Sequence, residues 1–276
     1  MNYRELLKDK KKIVVKIGSS SITHESTGNI NYRKLEKLVR VLCDIKNQGK
    51  DVVLVSSGAI AVGRQTVGIK HRTNILAEKQ ACAAIGQCRL MMTYQKLFSE
   101  YNQIAAQVLL TKYTMQNEES INNARNTFEE LFKLDAIPVV NENDTVSTYE
   151  IEFGDNDKLS ALVSALIGAD LLILLSDIDG LFTDDPNLNK DAEFIELVPK
   201  ITDELRAMGK NSASSVGTGG MSAKIAAATI ATDSGADMVI ANSMDVDIIS
   251  HILQGENIGT LFLANKISDF NISEYL

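Results

Sequence analysis

Cysteine, histidine and proline each occur only three times in the 276 residues, and each scarcity closes off a class of function. Cys43, Cys82 and Cys88 form no CxxC pair, so neither a disulfide framework nor a zinc site is indicated. They read as small apolar fillers of helices in a reducing compartment. His24, His71 and His251 lie outside every polar motif described below, which leaves no obvious imidazole base. Pro138, Pro186 and Pro199 are too few for a Pro/Ser linker, and no repeat or low-complexity tract divides the chain. Long apolar runs are missing too. No stretch of about 18 apolar residues exists, and the N-terminal MNYRELLKDKKK has no apolar signal core, so the expectation is a cytoplasmic protein without a membrane partner. An excess of positive charge is likewise absent. The net charge of −8 argues against nucleic acid as a bulk partner, although a few lysines in one cleft can still set a local field for anions.

What the chain does have is aliphatic sequence in short blocks. Hydrophobic residues make up 45%, enough for the core of one large domain, and a single domain over 1–276 is expected, its core spanning 10–264 and its tail 265–276. The expected strands are KIVVKIG (12–18), DVVLVSS (51–57), QIAAQVLL (103–110), AIPVVNE (136–142), DLLILLS (170–176) and DMVIAN (237–242). Nearly continuous apolar runs of this length suit strands buried on both faces. Helical patterns lie between them, over 31–49, 74–101, 122–135, 156–169 and 220–236. Gly49, Gly168 and Gly235 stand where helix C-terminal stops belong. Strand–helix alternation predicts an α/β fold, a three-layer α/β/α sandwich on a mainly parallel sheet. In such sheets ligands bind beyond the carboxyl ends of the strands, so the chemistry should follow each strand.

Polar and glycine-rich motifs do follow the strands. Lys16, Gly18, Ser19 and Ser20 come at the end of the first, and Ser56, Ser57 and Gly58 after the second. NEND (141–144) ends the fourth, and FGDNDKLSA opens the next helix with Asp155, Asn156 and Asp157. SDIDGLFTDDP follows the fifth, placing Ser176, Asp177 and Thr183 where they could reach a ribose or base. GTGGMSAK (217–224) then leads into a helix carrying Lys224. It is not a Walker A loop, because Ala223 precedes the lysine, and Ser222 breaks the dinucleotide fingerprint. Each motif alone has a plainer reading: a lysine that snorkels from an edge strand, a serine N-cap, acids suited to a first helical turn. Together they describe a cleft for a polyphosphate and a second small polar ligand. Two lysines and amide nests suit phosphoryl transfer, which asks mainly for positioning and charge stabilisation. Without a histidine base, an acceptor already ionised at neutral pH is favoured, namely a carboxylate.

VVKIGSS, SSGAIAVG, PVVNENDTV, FGDNDKLSA, LLSDIDGLFTDDP and GTGGMSAK together resemble the amino acid kinase superfamily, in order and over nearly the whole chain. Within it they are most similar to the members that phosphorylate the γ-carboxylate of L-glutamate with ATP, the first step of proline biosynthesis. The resemblance implies that Lys16 and Lys224 contact the phosphates and that Asp157 orients both lysines. It implies that Ser57, Gly58, Asp144 and Asn156 hold glutamate, with Gly18 and Gly58 lending amides. Lys16, Gly18, Ser176, Asp177, Thr218, Gly219, Gly220, Met221, Ser222, Ala223 and Lys224 would line ATP. Mg²⁺ would arrive with ATP, without a metal site built from protein alone. Further implied are a homo-oligomer, feedback inhibition by proline, and a glutamyl phosphate reductase as recipient of the product. Against the family pattern, the expectation is a form without the C-terminal PUA domain that many members carry, and the chain has Phe182 where tyrosine is frequent and Asp184 where a small residue is frequent. The alternatives are other acceptors on the same fold (N-acetylglutamate, aspartate, uridylate, carbamate) or a non-catalytic nucleotide or amino-acid sensor. A nicotinamide dehydrogenase is disfavoured, because the glycine motif falls late in the chain.

Overall fold

The computed structural model describes residues 2–69, 74–146, 156–184, 189–211 and 220–276. Contacts divide the chain into two compact units, one made of Met1–Lys16 with Gly154–Tyr275, the other of Ile17–Phe153 with Leu276. After a 3-10 turn (Glu5–Asp9) come β1 (Lys12–Ile17), α1 (Ser19–Ile22), α2 (Tyr32–Asn47), β2 (Asp51–Ser56) and α3 (Ala59–Thr66). Next are α4 (Leu76–Ser99), β3 (Ile104–Leu110), α5 (Lys112–Gln116), α6 (Glu118–Lys133) and β4 (Ala136–Glu142). Then follow α7 (Asn156–Ile167), β5 (Leu171–Ser176), β6 (Leu181–Phe182), β7 (Phe194–Ile195), β8 (Leu197–Val198) and α8 (Asp203–Asn211). The chain finishes with α9 (Met221–Ser234), β9 (Asp237–Asn242), α10 (Ile248–Leu253), β10 (Thr260–Phe262) and a 3-10 turn (Ile272–Tyr275).

In the Ile17–Phe153 unit the strands run β3-β4-β2, all parallel, with Leu54 opposite Val139 and Val55 opposite Val140. In the other unit the order is β1-β5-β9-β10-β8. There β5 and β9 are parallel, and β10 is antiparallel to β9 and parallel to β8. The six longest aliphatic blocks are strands within a residue of the expected bounds, and the sheet is mainly parallel. β4 and β5 are buried at every position, as strands covered on both faces must be. α2 shows how the helices are specified. Asn31 caps it by accepting from the Lys34 N–H at 3.1 Å, and Leu35, Leu38, Val39 and Leu42 recur at helical spacing to form its buried face. Gly49, Gly168 and Gly235 end their helices with φ of 76°, 62° and 105°, a conformation that costs glycine little.

The differences lie in short or capped elements. α6 starts at Glu118, four residues before the expected Asn122, because the Asn117 side chain accepts from the Ser120 N–H at 2.9 Å and two glutamates fill the first turn. β10 is only three residues long and its periodicity carries no signal. Gly259 before it is essential, since φ is 67° and a Cβ would stand 2.2 Å from the Ile240 carbonyl. Cys43 and Cys82 are buried as expected, but Cys88 is exposed on α4 and fills nothing.

Candidate active site

Lys16 interrupts the aliphatic β1 and is 7% exposed, so its ammonium needs a partner near at hand. Asp157 provides it. Fully buried in the first turn of α7, it ion-pairs with Lys16 Nζ through Oδ1 and with Lys224 Nζ through Oδ2, the latter at 3.3 Å. Lys224 stands in the first turns of α9 and is also nearly buried. Three separate elements thus deliver two cations to the two oxygens of one carboxylate, all within the Met1–Lys16 and Gly154–Tyr275 unit. The backbone of α7 is held beside them, for Ser160 Oγ donates to the Asp157 carbonyl at 2.6 Å. Gly220 is the N-cap of α9, accepting from the Ala223 N–H at 3.0 Å, so Met221, Ser222 and Ala223 form the first turn, where helix amides suit an anion. Thr218 and Gly219 lie outside the described residues.

The remaining expected residues of this unit are distributed along it. Asn156 is the first residue of α7. Ser176 ends β5 and donates to Asp177 Oδ1 at 3.0 Å. Thr183 is engaged with Glu193: its Oγ1 accepts the Glu193 N–H, and its own N–H donates to the Glu193 carbonyl, both at 2.9 Å. Phe182 meets Phe194 edge-on at 5.2 Å, so this segment is knit into a small β6–β7 ladder. Asp184 accepts from Asn189 Nδ2 at 2.9 Å.

In the Ile17–Phe153 unit, Gly18 and Gly58 come from adjacent loops. The Ser57 N–H donates to the Ile17 carbonyl at 3.1 Å, and a Cβ on Gly58 would stand 2.6 Å from Ile22 Cδ1. Gly58 has φ 106°, so both backbone and space require glycine. Asp144 is half-buried in the turn after β4, where the Asn143 N–H is fixed to the Leu110 carbonyl at 2.8 Å.

Two buried hydrogen bonds in this unit escaped the sequence reading. Asn141 Nδ2, on the end of β4, donates to Gln87 Oε1 of α4 at 3.0 Å. Ser56 Oγ, on the end of β2, lies 2.8 Å from Tyr94 OH of α4. Gln87 and Tyr94 are seven residues apart and share one helix face. Nothing in the local pattern announced them, because Gln87 and Tyr94 sit among the apolar residues of the buried face of α4. α3 and α4 also cross at backbone distance: a Cβ on Gly86 would lie 1.8 Å from the Ala59 carbonyl oxygen, and one on Gly63 the same distance from that of Cys82.

Among the described residues no group of three His, Cys, Asp or Glu side chains gathers as a metal site. Two buried lysines suit the oxygens of a polyphosphate and repel a bare cation, so they fit a divalent ion that arrives already bound to phosphate. No helix among the described residues is long and apolar enough to cross a membrane.

Buried lysines braced by one aspartate, with glycine loops after parallel strands, define a phosphoryl-transfer protein of the α/β class. The chain belongs to the amino acid kinase family, whose model matches residues 11–242. Its fold is that of the UMP kinase of Bacillus anthracis, at TM-score 0.61 and 15% identity over 93% of this chain and 97% of that one. More particularly, it is similar to glutamate 5-kinases. That of Clostridium perfringens is 49% identical, over 95% of this chain and 99% of that protein. That of Carboxydothermus hydrogenoformans is 51% identical, over 95% of this chain and 70% of that protein. The resemblance found in the motifs is therefore borne out.

Proposed function

We propose that this protein transfers the γ-phosphoryl group of ATP to the γ-carboxylate of L-glutamate, giving L-glutamyl 5-phosphate and ADP. The observation that carries the proposal is the Lys16–Asp157–Lys224 constellation, in a chain about half identical to glutamate 5-kinases along nearly its whole length. A carboxylate oxygen of glutamate forms a bond to the γ-phosphorus while the bond from that phosphorus to the ADP oxygen breaks. No proton is abstracted, because the acceptor is ionised at neutral pH. Lys16 and Lys224 stabilise charge on the transferring group, and Asp157 holds their ammonium groups in place. Asp157 is occupied by two cations and acts as a positioning residue, not as a base. Gly18, Ser176, Asp177 and the segment Thr218 to Ala223 hold the nucleotide. Ser57, Gly58, Asp144 and Asn156 hold glutamate, with the Asp144 carboxylate paired to the α-ammonium. Mg²⁺ bound to the ATP phosphates offsets their charge.

The reading extends to the protein's setting: a cytoplasmic homo-oligomer acting first in proline synthesis, inhibited by proline near the glutamate residues, with a reductase taking up the labile acyl phosphate. Glutamate-dependent ADP release from Mg-ATP tests the activity, and its absence would leave another acceptor or a non-catalytic sensor. Asp144→Ala should raise the glutamate KM by about 10- to 100-fold, the scale of a lost charge-assisted contact, with the ATP KM little changed. An unchanged glutamate KM would remove the role given to Asp144.

A further inference from the structure

Tyr94 is fully buried on α4, and its hydroxyl is placed against Ser56 Oγ at 2.8 Å. Ser56 Oγ in turn donates to the Ser57 carbonyl at 3.2 Å. Since the serine proton is used there, the phenol must be the donor of the first bond, and burial keeps it protonated by pushing its pKa up. The result is a directional relay from Tyr94 O–H to Ser56 Oγ and from Ser56 O–H to the Ser57 carbonyl. That carbonyl shares a planar peptide with the Gly58 N–H, and the two point in opposite directions. Holding the carbonyl therefore sets the direction of the amide. Among the described residues the Gly58 N–H has no backbone acceptor, while the Ser57 N–H is fixed to Ile17.

Packing supports the same reading. Ser56 and Asn141 continue the β2–β4 register after Val55 and Val140, and both are tied to one face of α4, by Tyr94 and Gln87. The glycine crossing at Gly86 and Ala59 places α4 directly against the start of α3, which Gly58 caps. Apolar side chains would fill these four buried positions at less desolvation cost, so the polar choice calls for a task beyond packing.

We propose that Tyr94 is a positioning residue which, acting through Ser56, orients the Ser57–Gly58 peptide so that the Gly58 amide meets the negative charge developed during transfer. This rests on the substrate assignment above. The test is steady-state kinetics of Tyr94→Phe, Ser56→Ala and the double variant, read as glutamate-dependent ADP release. A misdirected donor should cost less than the roughly 100-fold loss of a deleted one, so kcat should fall about tenfold in Tyr94→Phe, with the Mg-ATP KM unchanged. If the effect runs through Ser56, the double variant should turn over within about twofold of Ser56→Ala alone, whereas a general loosening of the core would multiply the losses. The proposal is overturned by wild-type kcat in folded Tyr94→Phe, or by multiplicative losses in the double variant. Should Tyr94→Phe fail to fold, Ser56→Ala decides the matter, and wild-type kcat there overturns the relay. No glutamate-dependent ADP release from the unmodified protein would overturn the substrate assignment and this inference with it. An active parent with unaffected variants would overturn this inference alone.

Discussion

Asp157→Asn removes one charge and almost no volume from the centre of the site, so its consequences can be worked from the structure. In the native protein one fully buried carboxylate faces two lysines that are 7% and 6% exposed. With asparagine there, both ammonium groups remain out of water, repel one another and lose their shared anion. Breaking a buried pair from one side costs about 3–5 kcal/mol. For a chain of this size roughly 2–4 °C accompanies each kcal/mol, so the melting temperature should fall by about 10 °C. Turnover should fall by about 100-fold or more, since the lysines are no longer aimed. Differential scanning fluorimetry and glutamate-dependent ADP release measure the two effects. Adding Lys224→Met should restore roughly half of the lost stability, because one of the two buried ammonium groups that faced Asp157 is then gone, while activity stays lost. A folded Asp157→Asn protein that melts within about 2 °C of the parent and keeps its turnover would refute the reasoning.

Other expectations follow from single positions. Gly86→Ala should destabilise by about 3 kcal/mol or more, because its Cβ would stand 1.8 Å from a backbone oxygen that no side-chain rotation can move. Denaturant unfolding measures it, and a change under about 1 kcal/mol would mean that the helices part easily. Of the three thiols, only Cys88 should react quickly with a maleimide at pH 8 in the native protein. Burial pushes the Cys43 thiol up to about 12, raises that of Cys82, and leaves Cys43 with a thiolate fraction of only about one in ten thousand at that pH. Mass spectrometry should show one label before unfolding and three after, and rapid triple labelling of native protein would contradict the burial.

The fold was legible because its strands are long, apolar and separated by helices that end in glycine. β4 and β9 begin and end at the residues the aliphatic runs mark. The Lys16–Asp157–Lys224 cluster was legible for a related reason. A lysine within an apolar strand and a lysine behind a glycine loop are conspicuous, and the structure joins both to Asp157. The bond of Thr183 to Glu193 was not legible, because a hydroxyl after a strand looks the same whether or not it closes a ladder with a residue ten positions on. Gln87 and Tyr94 stayed hidden for a different reason. They lie within an otherwise apolar face of α4, and their partners, Asn141 and Ser56, are 54 and 38 residues away in sequence. No local period encodes such a tertiary bond.

The most direct test of the central claim is a trap for the acyl phosphate. With hydroxylamine, Mg-ATP and L-glutamate, the protein should form γ-glutamyl hydroxamate, and Lys16→Ala and Lys224→Ala should each reduce it by about 100-fold or more. Absence of the hydroxamate, or a preference for N-acetylglutamate, aspartate, uridylate or carbamate as phosphoryl acceptor, would contradict the assignment.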